Sequence, residues 1–191
     1  MANRDNHYEA AFEAFLRRER LPYIAVDESR RSLVPDGSLK SLDFIVSPPG
    51  DVTWLVDVKG RRFPSGDEHQ QYWKNWSTRD DLRSLAAWEQ HFGSGFCPLL
   101  VFAYHLVGNR SPLPHDLLFE YRDAHYGFVG VRLADYVPHA RPLSERWDTV
   151  AMPMGLFRRA ARPMVDLLRT PAAATAVATA DWQPLAASLE W

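Results

Sequence analysis

The sequence predicts an α/β fold with a mixed central sheet, and three observations carry that prediction. Apolar residues recur at helical spacing over 7–20 and again in the segment that ends near residue 92. Between these segments lie short β-prone runs, two of them joined by PPGD (48–51), a tight turn of the kind hairpins use. CPLLVFAYHLV (97–107) is apolar on both faces, as a strand covered on both sides must be. The resulting order is helix, strand, hairpin, helix, central strand, followed by a strand-rich extension, and it is the order of an α/β unit.

Each element has a local cause. In HYEAAFEAFLRRER (7–20), Tyr8, Phe12, Phe15 and Leu16 fall on one helical face; Asp5 or Asn6 can cap the start, and Pro22 ends the helix. PYIAV (22–26) is a short strand. Residues 27–38 are polar and contain a Pro35-Asp36-Gly37 turn signal. SLDFIVS (41–47) and VTWLVDVKG (52–60) form the hairpin around 48–51, and residues 60–77 are expected as a loop. Ser77 or Thr78 caps a helix to about Phe92, with Asp80 and Asp81 in its first turn, where the helix dipole favours acids. Gly93 and Gly95 stop it. LLFEYRD (117–123) and YGFVGVRL (126–133) read as a hairpin turning at Ala124–His125, WDTVAMP (147–153) as a strand, and 155–168 as a helix kinked or split at Pro163. The chain thus divides into a core (1–107), an extension of the same domain (108–169) and an Ala/Thr-rich tail (170–191).

Composition excludes several classes. With 46% hydrophobic and 24% charged residues the chain is an ordinary globular one. Its net charge of -2 does not favour polyanions, so a nucleic-acid partner needs a local basic patch. The single cysteine, Cys97, cannot form an internal disulfide and sits in an apolar run as a small hydrophobe. No apolar run near the N-terminus suggests a secretory signal, and none reaches the ~18 residues of a membrane span. A cytoplasmic location is expected. The seven histidines show no HxxxH or HxH pair, so no zinc site is expected, and there is no phosphate loop, dinucleotide fingerprint or nucleophile elbow.

The charged residues of WLVDVKG (54–60) are the unusual feature. Asp57 and Lys59 are two apart, so they point to one face of the strand. The hairpin sets Thr53 opposite about Val46, which brings Asp43 near Val56–Asp57 on the neighbouring strand. Glu9 lies on the helix that covers one sheet face. Carboxylates gathered this way repel unless a cation joins them, and an all-oxygen set suits Mg²⁺ or Mn²⁺. Such an ion activates water and stabilises charge on a phosphoryl oxygen; a lysine beside it can orient the water, neutralise the phosphate, or act as base if its pKa is depressed. The alternative for Asp57 and Lys59 is an exposed strand-end ion pair, and for Glu9 and Glu13 a solvated helix face. Arg61 and Arg62 follow Lys59 where a phosphate backbone would pass, and Lys40 and Lys74 can add to that patch. The aromatics of QQYWKNW (70–76) can stack on bases or pack over the sheet, packing being the commoner use.

SLDF and WLVDVKG, preceded by a helix bearing YEAAFEAFL, resemble the PD-(D/E)xK nuclease superfamily, the restriction-endonuclease-like fold, over about 100 residues. The resemblance implies an α-β-β-β-α-β core and a metal-dependent DNA endonuclease, a hydrolase. It implies that Asp43 is the first motif acid, Asp57 the second and Lys59 the motif lysine. Asp43, Asp57 and the main-chain carbonyl of Val58 would bind Mg²⁺ or Mn²⁺, and Lys59 would assist the water. Glu9, followed seven residues later by Leu16, matches the helix glutamate of Holliday-junction-resolvase-like members better than Glu13. Gln70 or Gln71 could match a polar residue placed after the lysine. DNA is the implied partner, and a homodimer is compatible. Two departures stand out: Leu42 precedes Asp43 where the motif has proline, leaving Asp36 of Pro35–Asp36 as an alternative, and Arg20–Leu21–Pro22 replaces a glycine at the helix-to-strand step. A catalytically silent module of the same fold, binding nucleic acid or protein, is the second expectation.

Overall fold

A computed structural model describes residues 6–27, 31–34, 37–65 and 73–169. Pro35, Asp36, Gln70, Gln71 and the tail from residue 170 lie outside the described residues. The central sheet runs β1 (Tyr23–Ala25), β4 (Phe44–Val46), β5 (Thr53–Phe63), β7 (Phe96–Leu106), β9 (Ala124–Arg132) and β12 (Arg162–Pro163), with β8 (Phe119–Tyr121) also pairing with β9. β5 and β7 are parallel and the other pairs antiparallel, so the sheet is mixed. Helices α1 (His7–Arg18) and α2 (Arg79–Phe92) pack on its two faces. The α-β-β-β-α-β order expected for the core is present as α1, β1, β4, β5, α2 and β7.

α1 forms for the reasons its sequence gives. The Asn6 side chain accepts from the Tyr8 N–H at 3.1 Å, and Phe12, Phe15 and Leu16 bury against Phe44, Val56, Val101 and Phe128. Each such side chain contributes roughly 1.5–3 kcal/mol by leaving water. The helix ends in a Schellman motif: Arg20 N–H donates to Arg17 O at 3.1 Å and Leu21 N–H to Leu16 O at 3.0 Å. The left-handed position is Arg20, with φ +56°, where glycine is usual. A side chain there costs about 1 kcal/mol. Arg20→Gly is therefore expected to raise stability by roughly 0.5–1 kcal/mol, visible as a higher urea midpoint with an unchanged slope.

Three features depart from the sequence expectation. Part of the polar stretch before β4 is an antiparallel pair, β2 (Ser32–Val34) with β3 (Gly37–Leu39). β5 does not stop at Gly60; it pairs with β7 through Phe63↔Leu106, so Arg61 and Arg62 are strand residues rather than loop. The partner strand decides this, because β7 offers a free edge for all eleven residues of β5 and Phe63 gains full burial. The β8–β9 turn falls at Arg122–Asp123, both with positive φ (49° and 60°), two residues before the expected place. Asp tolerates that conformation locally, which is the signal passed over.

Pro98 lies inside β7, yet costs little. β9 begins to pair with β7 only at Leu99↔Arg132, so the missing N–H falls where that edge has no pairing partner. The expected strand at 147–153 is β11 (Thr149–Ala151), which pairs with β10 (Arg141–Ser144) and with β6 (Ser77–Thr78), the residues leading into α2. The expected helix at 155–168 is split before Pro163 into α4 (Met154–Ala160), the β12 bridge and α5 (Met164–Arg169). A short helix, α3 (Leu133–Tyr136), follows β9 and supplies Tyr136 to the core. Among the described residues no helix is long and apolar enough to cross a membrane.

Candidate active site

The site exists because two paired strands differ in length. β5 has eleven residues, but β4 pairs only with Trp54, Leu55 and Val56. Asp43 adds one more bond, its N–H donating to Val56 O at 2.9 Å. Beyond that point the edge of β5 continues past the end of β4, and the Asp43 carboxylate takes over the ladder, Oδ2 accepting the Val58 N–H at 2.5 Å. A side chain thus fills the place of a backbone acceptor, which holds Asp43, 4% exposed, beside Asp57 and Val58. The segment before Asp43 is docked on α2: Lys40 N–H donates to Ser84 Oγ at 3.0 Å and Trp88 Nε1 to Lys40 O at 2.7 Å.

Because the edge is open, groups from both sheet faces meet there. Glu9 reaches it from α1 and is 3% exposed, so it is not the solvated helix residue its position allowed; Asn6 Nδ2 donates to its Oε1. Asp57 and Lys59 come from the α2 face of β5, and Asp81 from α2 itself. These residues line one cleft of about 430 Å³ together with Lys40 and Arg31. Glu13, the alternative to Glu9, turns elsewhere, pairing with Arg17 at 2.6 Å and accepting from Tyr23 Oη at 2.8 Å.

Lys59 is the electrostatic centre. Its Nζ lies 2.8 Å from Asp57 Oδ2 and 2.9 Å from Asp81 Oδ2. It donates a well-directed bond to Asp57 Oδ1 at 3.0 Å, while Asp57 Oδ2, buried, receives none among the described residues. Burial pulls the ammonium pKa down, but the carboxylates of Asp57, Asp81 and Asp43 outweigh it, and the net shift is upward. Burial likewise pushes the Asp57 carboxyl up, and for this group Lys59 does not reverse the shift. Burial would raise Asp81 too, but Lys59, Lys40 and the Thr78 side chain hold it well below the usual carboxylate range. The charges continue outward in alternation, Lys40 Nζ lying 2.8 Å from Asp81 and 3.7 Å from Asp80, and Arg31 3.0 Å from Asp80.

The donor chemistry around Asp57 is that of a hard cation: carboxylate oxygens of Glu9, Asp43 and Asp57, a main-chain carbonyl at Val58 and a buried oxygen without a directed hydrogen bond. Among the described residues, however, no three His, Cys, Asp or Glu side chains are drawn together tightly enough to constitute a metal site. In this arrangement the cation that Asp57 and Asp81 share is the Lys59 ammonium.

The basic residues divide. Arg62 and Lys74 are exposed. Arg61, expected beside Arg62 on the phosphate path, instead points inward: it donates to Gly60 O at 2.7 Å and to Trp76 O, and its guanidinium lies 3.7 Å over the Trp76 ring. Strand alternation is the reason, since Arg61 shares the α2 face with Lys59 while Arg62 faces α1. Burial lowers its pKa to about 10. Trp73 packs edge-on against Phe63, Tyr104 and Phe157, so this part of the aromatic stretch is core.

Asp81 and Lys40 carry more of the site than the sequence suggested. Asp81 was legible only as a first-turn acid and does serve as the capping-box residue of α2, with Thr78. The signal for its second role is that Asp81, Ser84, Leu85 and Trp88 fall at i, i+3, i+4 and i+7, one stripe of a helix whose stripe faces the sheet.

No family model matches the sequence, and no curated protein matches it. Among solved structures, Hjc, a Holliday junction resolvase from Archaeoglobus fulgidus, aligns over 85% of this chain and 98% of its own, with a TM-score of 0.49 and 9% identity.

Gly60 closes the site from the α1 side. A Cβ there would stand 2.2 Å from the Tyr8 ring, one residue from Glu9. Gly60→Ala is expected to push α1 away from β5, costing roughly 1–3 kcal/mol. Tyr8→Ala in the same chain should restore most of that loss, measured by denaturant unfolding of the single and double variants.

Proposed function

We propose that this protein is a metal-dependent nuclease that hydrolyses phosphodiester bonds of DNA internally. The observation that carries the reading is the convergence of Glu9, Asp43, Asp57 and Lys59, from three elements far apart in sequence, on the uncovered edge of β5. Packing three acids and a lysine into one cleft opposes stability, a cost characteristic of sites whose charged groups take part in chemistry. Asp43, Asp57, Glu9 and the Val58 carbonyl would hold Mg²⁺ or Mn²⁺. When bound, the ion supplies activation of water and charge neutralisation at the phosphoryl group.

The chain's own contributions follow from the geometry. Asp43 is fixed by the Val58 N–H, so its second oxygen is presented to the cleft in one orientation. Lys59 remains an ammonium at neutral pH because of the carboxylates around it, which favours donating to an attacking water or a phosphate oxygen over acting as base. Asp81 and Lys40 are positioning residues that hold Lys59 within reach of Asp57. Arg62 and Lys74 supply exposed charge for the phosphate backbone.

The test is incubation of plasmid and single-stranded DNA with Mg²⁺ or Mn²⁺ against EDTA, for the parent and for Asp57→Asn. Cleavage that needs the ion and is lost in the variant supports the reading; cleavage equal in every arm rejects it. A catalytically silent module has one observation in its favour, the sequestering of Asp57 by Lys59 without a gathered acidic triad. It predicts DNA binding without cleavage in all arms.

A further inference from the structure

On the α1 face, beside the cleft, four rings form a connected group. His7 Nδ1 and Tyr126 Oη are 2.8 Å apart; the His7 ring lies 3.9 Å from Tyr8 at a 33° tilt and 5.4 Å from His105 edge-on; His105 stacks on Tyr126 at 5.3 Å. The group is anchored at its buried end, because Tyr126 is 3% exposed and is part of the core. It is open at the other end, because His7 is exposed. His7 is the first residue of α1 and adjoins Asn6, which lines the cleft with Glu9.

A cation accompanies the rings. Arg62 is the strand neighbour of His105, in register across β5 and β7, and faces α1 because it alternates with the inward-pointing Arg61. Arg62 is exposed, and among the described residues no ion pair engages it. Rings that only completed the core would need neither an exposed outermost member nor a cation at their rim. An exposed ring backed by half-buried ones, with a guanidinium nearby, matches a nucleotide, which offers a base face and a phosphate about one residue apart.

We infer that His7, Tyr8, His105 and Arg62 form a binding platform for an unpaired nucleotide of a single-stranded or frayed DNA segment beside the cleft. The inference rests on the nuclease reading for its substrate and extends it to a substrate class. An exposed ring offers its face only to a base that is out of the helical stack, so duplex DNA gains little from it. His7 is held in orientation by Tyr126, which lowers the ordering cost of stacking.

The experiment measures binding in EDTA, by fluorescence anisotropy, of a short oligodeoxythymidylate strand and of a duplex of equal length. The parent should bind the single strand more tightly. His7→Ala should weaken single-strand binding by about 5- to 100-fold, the range that base–aromatic stacking supports, with little change for the duplex. His7→Phe, which keeps a ring face, should retain most of the affinity. Arg62→Ala should reduce the slope of log affinity against log salt by about 0.7, one phosphate contact on a single strand. Equal affinity of the parent for both DNAs, no binding of either, or parent-like single-strand binding by both His7→Ala and Arg62→Ala would overturn the platform. Cleavage by the parent with Mg²⁺ is scored separately. Binding that depends on His7 without cleavage keeps the platform and removes the nuclease reading, and the reverse pattern does the opposite.

Discussion

Asp57→Asn is expected to lose cleavage by about 10³-fold or more while leaving the protein as stable as its parent or more stable. The two halves of that expectation share one cause. Asp57 is a carboxylate held in a cleft where burial raises its pKa, even with Lys59 at 2.8 Å. A folded pKa above the unfolded value means that the ionised form is less favoured in the folded chain. The associated stability is present below the unfolded value, about 3.9, and is lost as pH rises through the folded one. At pH 7 the ionised group therefore opposes folding, and an amide of the same shape removes that cost. Lys59 is not stranded by the change, because Asp81 still lies 2.9 Å from its Nζ. Thermal unfolding of both proteins at pH 7 and pH 4 checks this: the variant should be the more stable at pH 7, and the gap should close at pH 4. Full activity in Asp57→Asn would remove Asp57 from the chemistry, and a loss of several kcal/mol at pH 7 would show that the pair was structural.

Lys59→Met should have the opposite stability profile. It leaves two half-buried carboxylates, 13% and 10% exposed, facing each other with their shared cation gone. Removing one member of a buried ionic group costs about 3–5 kcal/mol, because the remaining charges are left uncompensated. The sign with pH is fixed. Without the ammonium the Asp57 carboxyl, already raised by burial, moves further up, and Asp81 loses one of the two lysines that hold it down, so the penalty is absent at low pH and grows as pH rises toward neutrality. Urea unfolding at pH 4 and pH 7.5 should show a small difference from the parent at the first and a large one at the second. The double variant Asp57→Asn with Lys59→Met should recover part of the loss, since the two residues are in contact and their effects cannot add. Equal destabilisation at both pH values would mean that Lys59 contributes by packing its stem rather than by charge. Activity should fall with the charge in either case.

Much of the frame was legible before any coordinates. The period-3.6 stripe of Phe12, Phe15 and Leu16 is a helix that must cover a sheet, and it does. The turn at 48–51 requires antiparallel pairing, and the register places Phe44 opposite Val56, within one residue of expectation. Period-2 alternation alone puts Asp57 and Lys59 on one face, where their charges pair. Pro163 interrupts a helix because it has no N–H to give, and the chain breaks into α4, β12 and α5 around it.

What local patterns could not reach were contacts between distant elements. The end of β5 lies beyond the reach of local patterns because a strand stops where its partner stops, and β7 is a partner offset by 43 residues, Gly60↔Ala103 being followed by three further pairs. Arg61 reads as a surface cation in a chain viewed one residue at a time, and only the packing of residues 73–76 over the sheet supplies the Trp76 ring and carbonyl that draw it inward. Asp81 looks like a helix cap until α2 is laid on the sheet.

The sequence by itself determined the elements, the hairpin that joins Asp43 to Asp57, and the shared face of Asp57 and Lys59. Those depend on backbone periodicity and turn chemistry, which act over a few residues. Only the tertiary structure decided that β4 stops short of the end of β5, that Glu9 and Asp81 meet across the opened edge, and that Lys59 rather than solvent neutralises the acids. Those outcomes depend on how whole faces pack against one another, a free energy summed over many buried side chains that no short stretch contains.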